Sequence, residues 1–183
     1  LEKTLDDFFG TTPMSSSLTK VVIPTFDIEN YRQWYIRNPD FFLMKEAARA
    51  TSAAPTYFEP AHFVKGQQSF TFLDGGMFDN NPASTALEEA RQLYGAGGQY
   101  LVLSLGTGVA KAPATYDEAK KWGLVHWART APNILLYGNS CRVDEVMQEE
   151  LPANLYYRFQ CDIVSSHEAM DDASSGNVAY LKE

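Results

Sequence analysis

The chain has 183 residues, a length that suits one compact domain. A hydrophobic share of 45% with 13% aromatic residues supports a sizeable core, which excludes a disordered or fibrous chain. Lys+Arg number 15 against 23 Asp+Glu, and the net charge of −8 speaks against nucleic-acid binding. Lys111, Lys120 and Lys121 are too thin a patch to offset that charge, and the acidic doublets read as solvated faces.

No run approaches the roughly 18 apolar residues that a membrane-spanning helix needs. Residues 1–20 lack the order of a signal peptide, so a cytoplasmic location is expected. Cys141 and Cys161 lack Cys-x-x-Cys spacing and read as a reduced pair of small core residues. The chain begins at Leu1, which suggests a piece of something longer.

Along the chain, Val21–Phe26 is a buried strand interrupted by Pro24. Arg32–Arg37 alternates, with Trp34 and Ile36 on one face and Gln33, Tyr35 and Arg37 on the other, as a second strand would. Leu43–Ala53 is helical in composition, and Pro55 stops it. Ser69–Leu73 alternates as a strand that runs straight into Asp74.

Asn81 is placed to cap a helix with Pro82 in its first turn, and Ala83, Ala86, Leu87, Ala90 and Leu93 then recur at helical spacing until Gly95. Tyr100–Leu105 is a continuous apolar run, expected of a strand covered on both faces. Helices are expected near Asp117–Arg129, Pro132–Glu150 and Asp171–Lys182, with a last strand at Asn154–Gln160. Strands alternating with helices predict an α/β fold with a largely parallel sheet.

Asp74-Gly75-Gly76 stands where a strand ends and a turn begins, the place where open α/β sheets bind ligands. Two glycines there permit positive φ or close approach of another backbone. From spacing alone, an ordinary Asp-Gly turn is the commoner reading.

Two long blocks change the weighting. Residues 50–58 read Ala-Thr-Ser-Ala-Ala-Pro-Thr-Tyr-Phe, and residues 73–82 read Leu-Asp-Gly-Gly-Met-Phe-Asp-Asn-Asn-Pro. With Leu103-Ser104-Leu105-Gly106-Thr107-Gly108 and Met170-Asp171-Asp172-Ala173-Ser174, they resemble the patatin-like phospholipase family in order and content. The resemblance runs from about residue 18 to the end and implies a three-layer α/β fold with a mainly parallel central sheet.

It further implies a lipid acyl hydrolase that uses a Ser–Asp dyad, with Asp74 as general base and Gly75, Gly76, Asn80 and Asn81 supporting its turn. A serine hydroxyl is a weak nucleophile until a positioned base takes its proton, and a carboxylate in a desolvated cleft can do so. The implied partner is a lipid acyl ester, with peripheral membrane contact and no cofactor or metal.

The family's nucleophile sits in Gly-x-Ser-x-Gly behind a glycine-rich oxyanion loop, and neither string occurs here. The expectation is therefore one domain over residues 1–183, the carboxyl-terminal part of a patatin-like domain, completed by a missing amino-terminal segment or a partner subunit. The alternative is a non-catalytic module of the same fold that binds lipid or protein.

Other candidates carry less. Gly138-Asn139-Ser140 lacks the closing glycine and lies in an expected helix, which makes Ser140 a helix-face or core serine. His62, His126 and His167 have neither an elbow serine to serve nor ligand spacing. Tyr31, Trp34, Tyr35, Phe41 and Phe42 either pack in the core, the commoner role, or line an acyl channel or touch lipid.

Overall fold

Short loops decide the topology of the first sheet. The computed structural model describes residues 1–38, 40–111, 113–164 and 172–182. They fall into two compact units, Leu1–Gly98 and Gln99–Glu183.

The first unit opens with helix α1 (Glu2–Phe9), followed by strands β1 (Val22–Asp27) and β2 (Arg32–Arg37). Helix α2 (Met44–Thr51), strands β3 (Ala61–Lys65) and β4 (Gln68–Asp74), and helices α3 (Gly76–Asp79) and α4 (Ala83–Tyr94) complete it. The sheet order is β2-β1-β4-β3, and every pairing is antiparallel. The expected mainly parallel sheet is thus corrected for this unit. Residues 28–31 join β1 to β2, and residues 66–67 join β3 to β4. Loops so short make hairpins, whereas parallel neighbours need crossovers of a dozen residues or more.

Asp27, 1% exposed, holds the first hairpin loop. It accepts hydrogen bonds from the Asn30 backbone N–H at 3.2 Å and from Asn30 Nδ2 at 2.8 Å. On one face of the sheet, Ile36 and Phe72 pack with Phe70, Phe42 and the α2 residues Ala47 and Ala50. Trp34 reaches into the same layer, its ring 5.9 Å from Phe70 and 6.0 Å from Phe72. Burying each large ring of this kind stabilises the fold by about 1.5–3 kcal/mol relative to exposure. The opposite face carries Phe26 and Tyr35, whose rings lie 6.3 and 5.9 Å from Phe78.

The second unit contains β5 (Val102–Leu105), α5 (Tyr116–Ala119), α6 (Leu124–Glu150), β6 (Tyr156–Phe159) and α7 (Ser175–Tyr180). Here β5 and β6 are parallel, with Val102 opposite Tyr156 and Leu105 opposite Phe159, joined by a crossover through α6. Three expectations change. Strand β5 is covered on one face: Ser104 is buried, while Leu103 and Leu105 are 60% and 76% exposed. The boundaries of the two expected helices move: Asp117–Arg129 divides between α5 and the start of α6, and α6 runs without a break through Pro132, at an exposed position, to Glu150. The cost of the proline is the lost backbone donor rather than a break. The terminal helix begins at Ser175, capped by the Ser174 hydroxyl; residue 171, where it was expected to start, lies outside the described residues.

Neither cysteine is disulfide-bonded, and Cys161 is exposed rather than a core residue. Among the described residues, no helix is long and apolar enough to cross a membrane.

Candidate active site

Three chain segments meet at the end of β4. Asp74, its last residue, lies opposite Thr25 of β1 in the antiparallel ladder. The Asp74 backbone N–H donates to the Ala53 carbonyl at 3.1 Å. Two residues before Ala53, the Thr51 hydroxyl donates to the Pro24 carbonyl at 2.8 Å. Gly75 then packs against that same peptide, since a Cβ built on it would stand 2.0 Å from the Pro24 oxygen. Space for a side chain is absent, and the two long sequence blocks are thereby locked together across β1.

Gly75 has φ −70° and ψ −21°, right-handed helical values. The glycine therefore serves close approach and not positive φ. Gly76 is also confined: a Cβ there would lie 3.1 Å from Asp74 Oδ1 and 3.4 Å from Asn80 Oδ1.

Strand alternation places Asp74 on the same face as Phe70 and Phe72, and its side chain is half-buried. The Gly76 N–H donates to Asp74 Oδ1 at 2.7 Å, which fixes the carboxylate in a turn of its own making. Burial raises the Asp74 pKa above the usual carboxylate value, and the Gly76 bond offsets part of that rise. Among the described residues, Oδ2 has no hydrogen-bond partner in the chain. The site thus presents a desolvated carboxylate with one oxygen anchored and the other open. Such a group can take a proton from a hydroxyl or a water.

The supporting asparagines separate. Asn80 is exposed and stands beside Gly76, while Asn81 is 1% exposed. The expected Asn81 cap on α4 is corrected: Pro82 holds the N-cap position, and its carbonyl accepts the first helical bond from Ala86 N–H at 2.8 Å.

Asp79 is a residue that sequence reasoning passed over. It is buried and accepts a hydrogen bond from the Thr85 hydroxyl at 2.8 Å. Burial raises the pKa of the neighbouring Tyr35, and the charge of Asp79 pushes in the same direction. This cluster ties α3 and α4 to β2. Its one sequence signal is Asp79's place in the second block.

The remaining candidates sit elsewhere. Ser140 lies in the middle of α6, buried, accepting from Arg158 Nη2 at 3.2 Å; no strand-to-helix elbow is present there. His62 is exposed on β3, with Nδ1 3.0 Å from Thr71 Oγ1. His126 stacks on Trp122 at 4.1 Å, and His167 lies outside the described residues. Of the aromatic cluster, Phe42 and Trp34 pack in the core, whereas Tyr31 and Phe41 are exposed. No three of His, Cys, Asp and Glu converge on a common point among the described residues.

A sequence model for patatin-like phospholipases matches residues 1–87, a span that contains both long blocks. Patatin-like protein 2 of Arabidopsis thaliana is 37% identical over 64% of this chain and 35% of its own length. Patatin-like protein 4 of the same plant is 30% identical over the whole chain and 54% of its own length. Patatin group J-1 of Solanum tuberosum is 30% identical over 99% of the chain and 55% of its own length. The chain spans between about a third and just over half of these relatives.

Proposed function

The chain belongs to the patatin-like phospholipase family, and from that premise we propose that it supplies the general base of a lipid acyl hydrolase. The observation that carries this is the carboxylate of Asp74, half-buried, raised in pKa and fixed by Gly76 at 2.7 Å. In this reading Asp74 takes the proton of a serine hydroxyl as that oxygen attacks a fatty-acyl ester. Asp74 gives that proton to the departing alcohol, then takes one from the water that attacks the acyl-enzyme and returns it to the serine oxygen as the fatty acid leaves. Gly75, Gly76 and Asn80 shape the turn, and Asn81 supports it from within.

The serine belongs to sequence outside these 183 residues, because no Gly-x-Ser-x-Gly string occurs among them. The chain then corresponds to the carboxyl-terminal part of the catalytic domain. The same missing string favours a second reading, a non-catalytic module of this fold that binds lipid or protein.

Intact-mass analysis after treatment with a fluorophosphonate tests the division of labour. The 183-residue chain should remain unlabelled and hydrolyse no ester, while a chain extended upstream to include the serine takes up one adduct. A stoichiometric adduct on the 183 residues would place the nucleophile inside them and overturn the proposal. An extended chain that neither labels nor hydrolyses would favour the binding module.

A further inference from the structure

Helix α3 is too short to hold its own shape. It has 4 residues, against the roughly 12–15 that an isolated helix needs for marginal stability. Yet its first residue supplies the N–H that anchors Asp74 Oδ1, so whatever fixes α3 also fixes the site. The Phe78 and Asp79 N–H groups both donate to the Gly75 carbonyl, at 3.1 and 2.9 Å, and close Gly75 to Asp79 into one small unit. Contacts outside that unit must set its orientation.

The strongest of them leave from its far end. The Asp79 carboxylate, 7% exposed, accepts from the Thr85 hydroxyl at 2.8 Å and from the Tyr35 hydroxyl. Thr85 lies in the first turn of α4 and Tyr35 on β2, so one carboxylate joins three elements. The Phe78 ring stands edge-to-face with Tyr35 beside it. Tyr35 is also the ladder partner of Pro24, the residue whose carbonyl packs against Gly75. The chain of contacts thus closes on itself, from Asp74 through Gly75 and Asp79 to Tyr35 and Pro24. Arg37 repeats the tie between β2 and α4, its guanidinium 5.3 Å from the Tyr35 ring centroid and paired with Glu89.

Bonds from hydroxyls to a carboxylate are shorter and stronger than neutral ones, and they are directional. We infer that Asp79 is a positioning residue for Asp74: held by the hydroxyls of Tyr35 and Thr85, it fixes the far end of α3 and so aims the Gly76 N–H at the Asp74 carboxylate. Its burial and its two internal bonds keep it off the substrate. That the network matters for turnover rests on the reading of Asp74 as the base; that it holds the Asp74 carboxylate does not.

NMR titration of the 183-residue chain, labelled with carbon-13 at its aspartate carboxyl groups, tests it. The Asp74 signal is the one that Asp74→Asn removes. Tyr35→Phe keeps the ring against Phe78 and Thr85→Val keeps the side-chain shape; each deletes one bond to Asp79. With burial kept and the Gly76 N–H loosened, the Asp74 midpoint should rise by about half a pH unit in each, because that N–H favours the ionised form. Thr85→Ser restores the donor and should titrate as the parent does. In the extended chain, Tyr35→Phe and Thr85→Val should lower kcat about tenfold with KM within about twofold of the parent. An Asp74 midpoint that stays in place in both variants would overturn the inference, even where they melt early, since lower stability alone leaves titration of the folded protein unchanged. A fall in the midpoint would overturn it as well, because it would mean a site opened to water rather than a carboxylate less well held. Turnover that survives Asp74→Asn would remove the base and leave the titration to decide the role of Asp79.

Discussion

Asp74 carries an electrostatic cost that function would exploit. Its folded pKa lies above its unfolded value because burial disfavours the carboxylate. Ionisation therefore subtracts stability as pH rises through the carboxylate range, and the full cost is felt above the folded pKa. Asn at this position keeps an acceptor for the Gly76 N–H and carries no charge. Thermal unfolding at pH 7 should then show Asp74→Asn melting at or above the parent temperature, with the difference gone below the unfolded carboxylate pKa of about 3.9. A clearly lower melting temperature would mean that the ionised carboxylate stabilises the fold. The same shift predicts that ester turnover in the extended chain falls on the acid side with an apparent pKa above the ordinary carboxylate range. Gly75 is sensitive in another way. A methyl group 2.0 Å from the Pro24 carbonyl oxygen forces β1 and the turn apart. Gly75→Ala should cost about 1–3 kcal/mol, at the upper end because backbone yields less than a side chain, read as an earlier denaturant midpoint.

At the scale of elements, the end of α2 is a bracket for the turn. Thr51 bonds the Pro24 carbonyl and Ala53 bonds the Asp74 N–H, so one helix terminus holds both strands that flank the site. Thr51→Val keeps the shape and removes the donor; it should cost about 1–2 kcal/mol, while Thr51→Ser should stay near the parent in denaturant melts. A loss for Thr51→Ser with Thr51→Val near the parent would assign the effect to the methyl group's packing instead. Much of this was legible. The strand over Arg32–Arg37, the strand into Asp74 and the helix closed by Gly95 follow from alternation, helical spacing and glycine, and they stand where those patterns put them. Strand β3 was not legible, because Ala61–Lys65 is short and follows Pro60. Nor was sheet direction, since residue alternation has no sign and only the loop lengths reveal the hairpins. Asp79 was hidden because a buried carboxylate looks in sequence like any solvated acid; its partners Thr85 and Tyr35 come from other elements.

At the scale of the molecule, two compact units share one chain, and Gly95-Ala96-Gly97-Gly98 lies at their boundary. This stretch is exposed throughout, and Tyr94 before it is exposed as well. Limited chymotrypsin digestion should therefore cut first near Tyr94, giving two fragments close to Leu1–Tyr94 and Gly95–Glu183 before either unit is degraded. First cuts inside β1–β4 would mean that the first unit opens more readily than its packed face of Phe42, Phe70 and Phe72 allows.

The most direct test of the account is ester turnover by the extended chain with and without Asp74→Asn, measured beside its thermal melt. Loss of a general base should lower kcat/KM by about 10²–10⁴-fold while the melt holds or rises. Turnover retained within a few-fold of the parent, with the fold intact, would contradict Asp74 as the base.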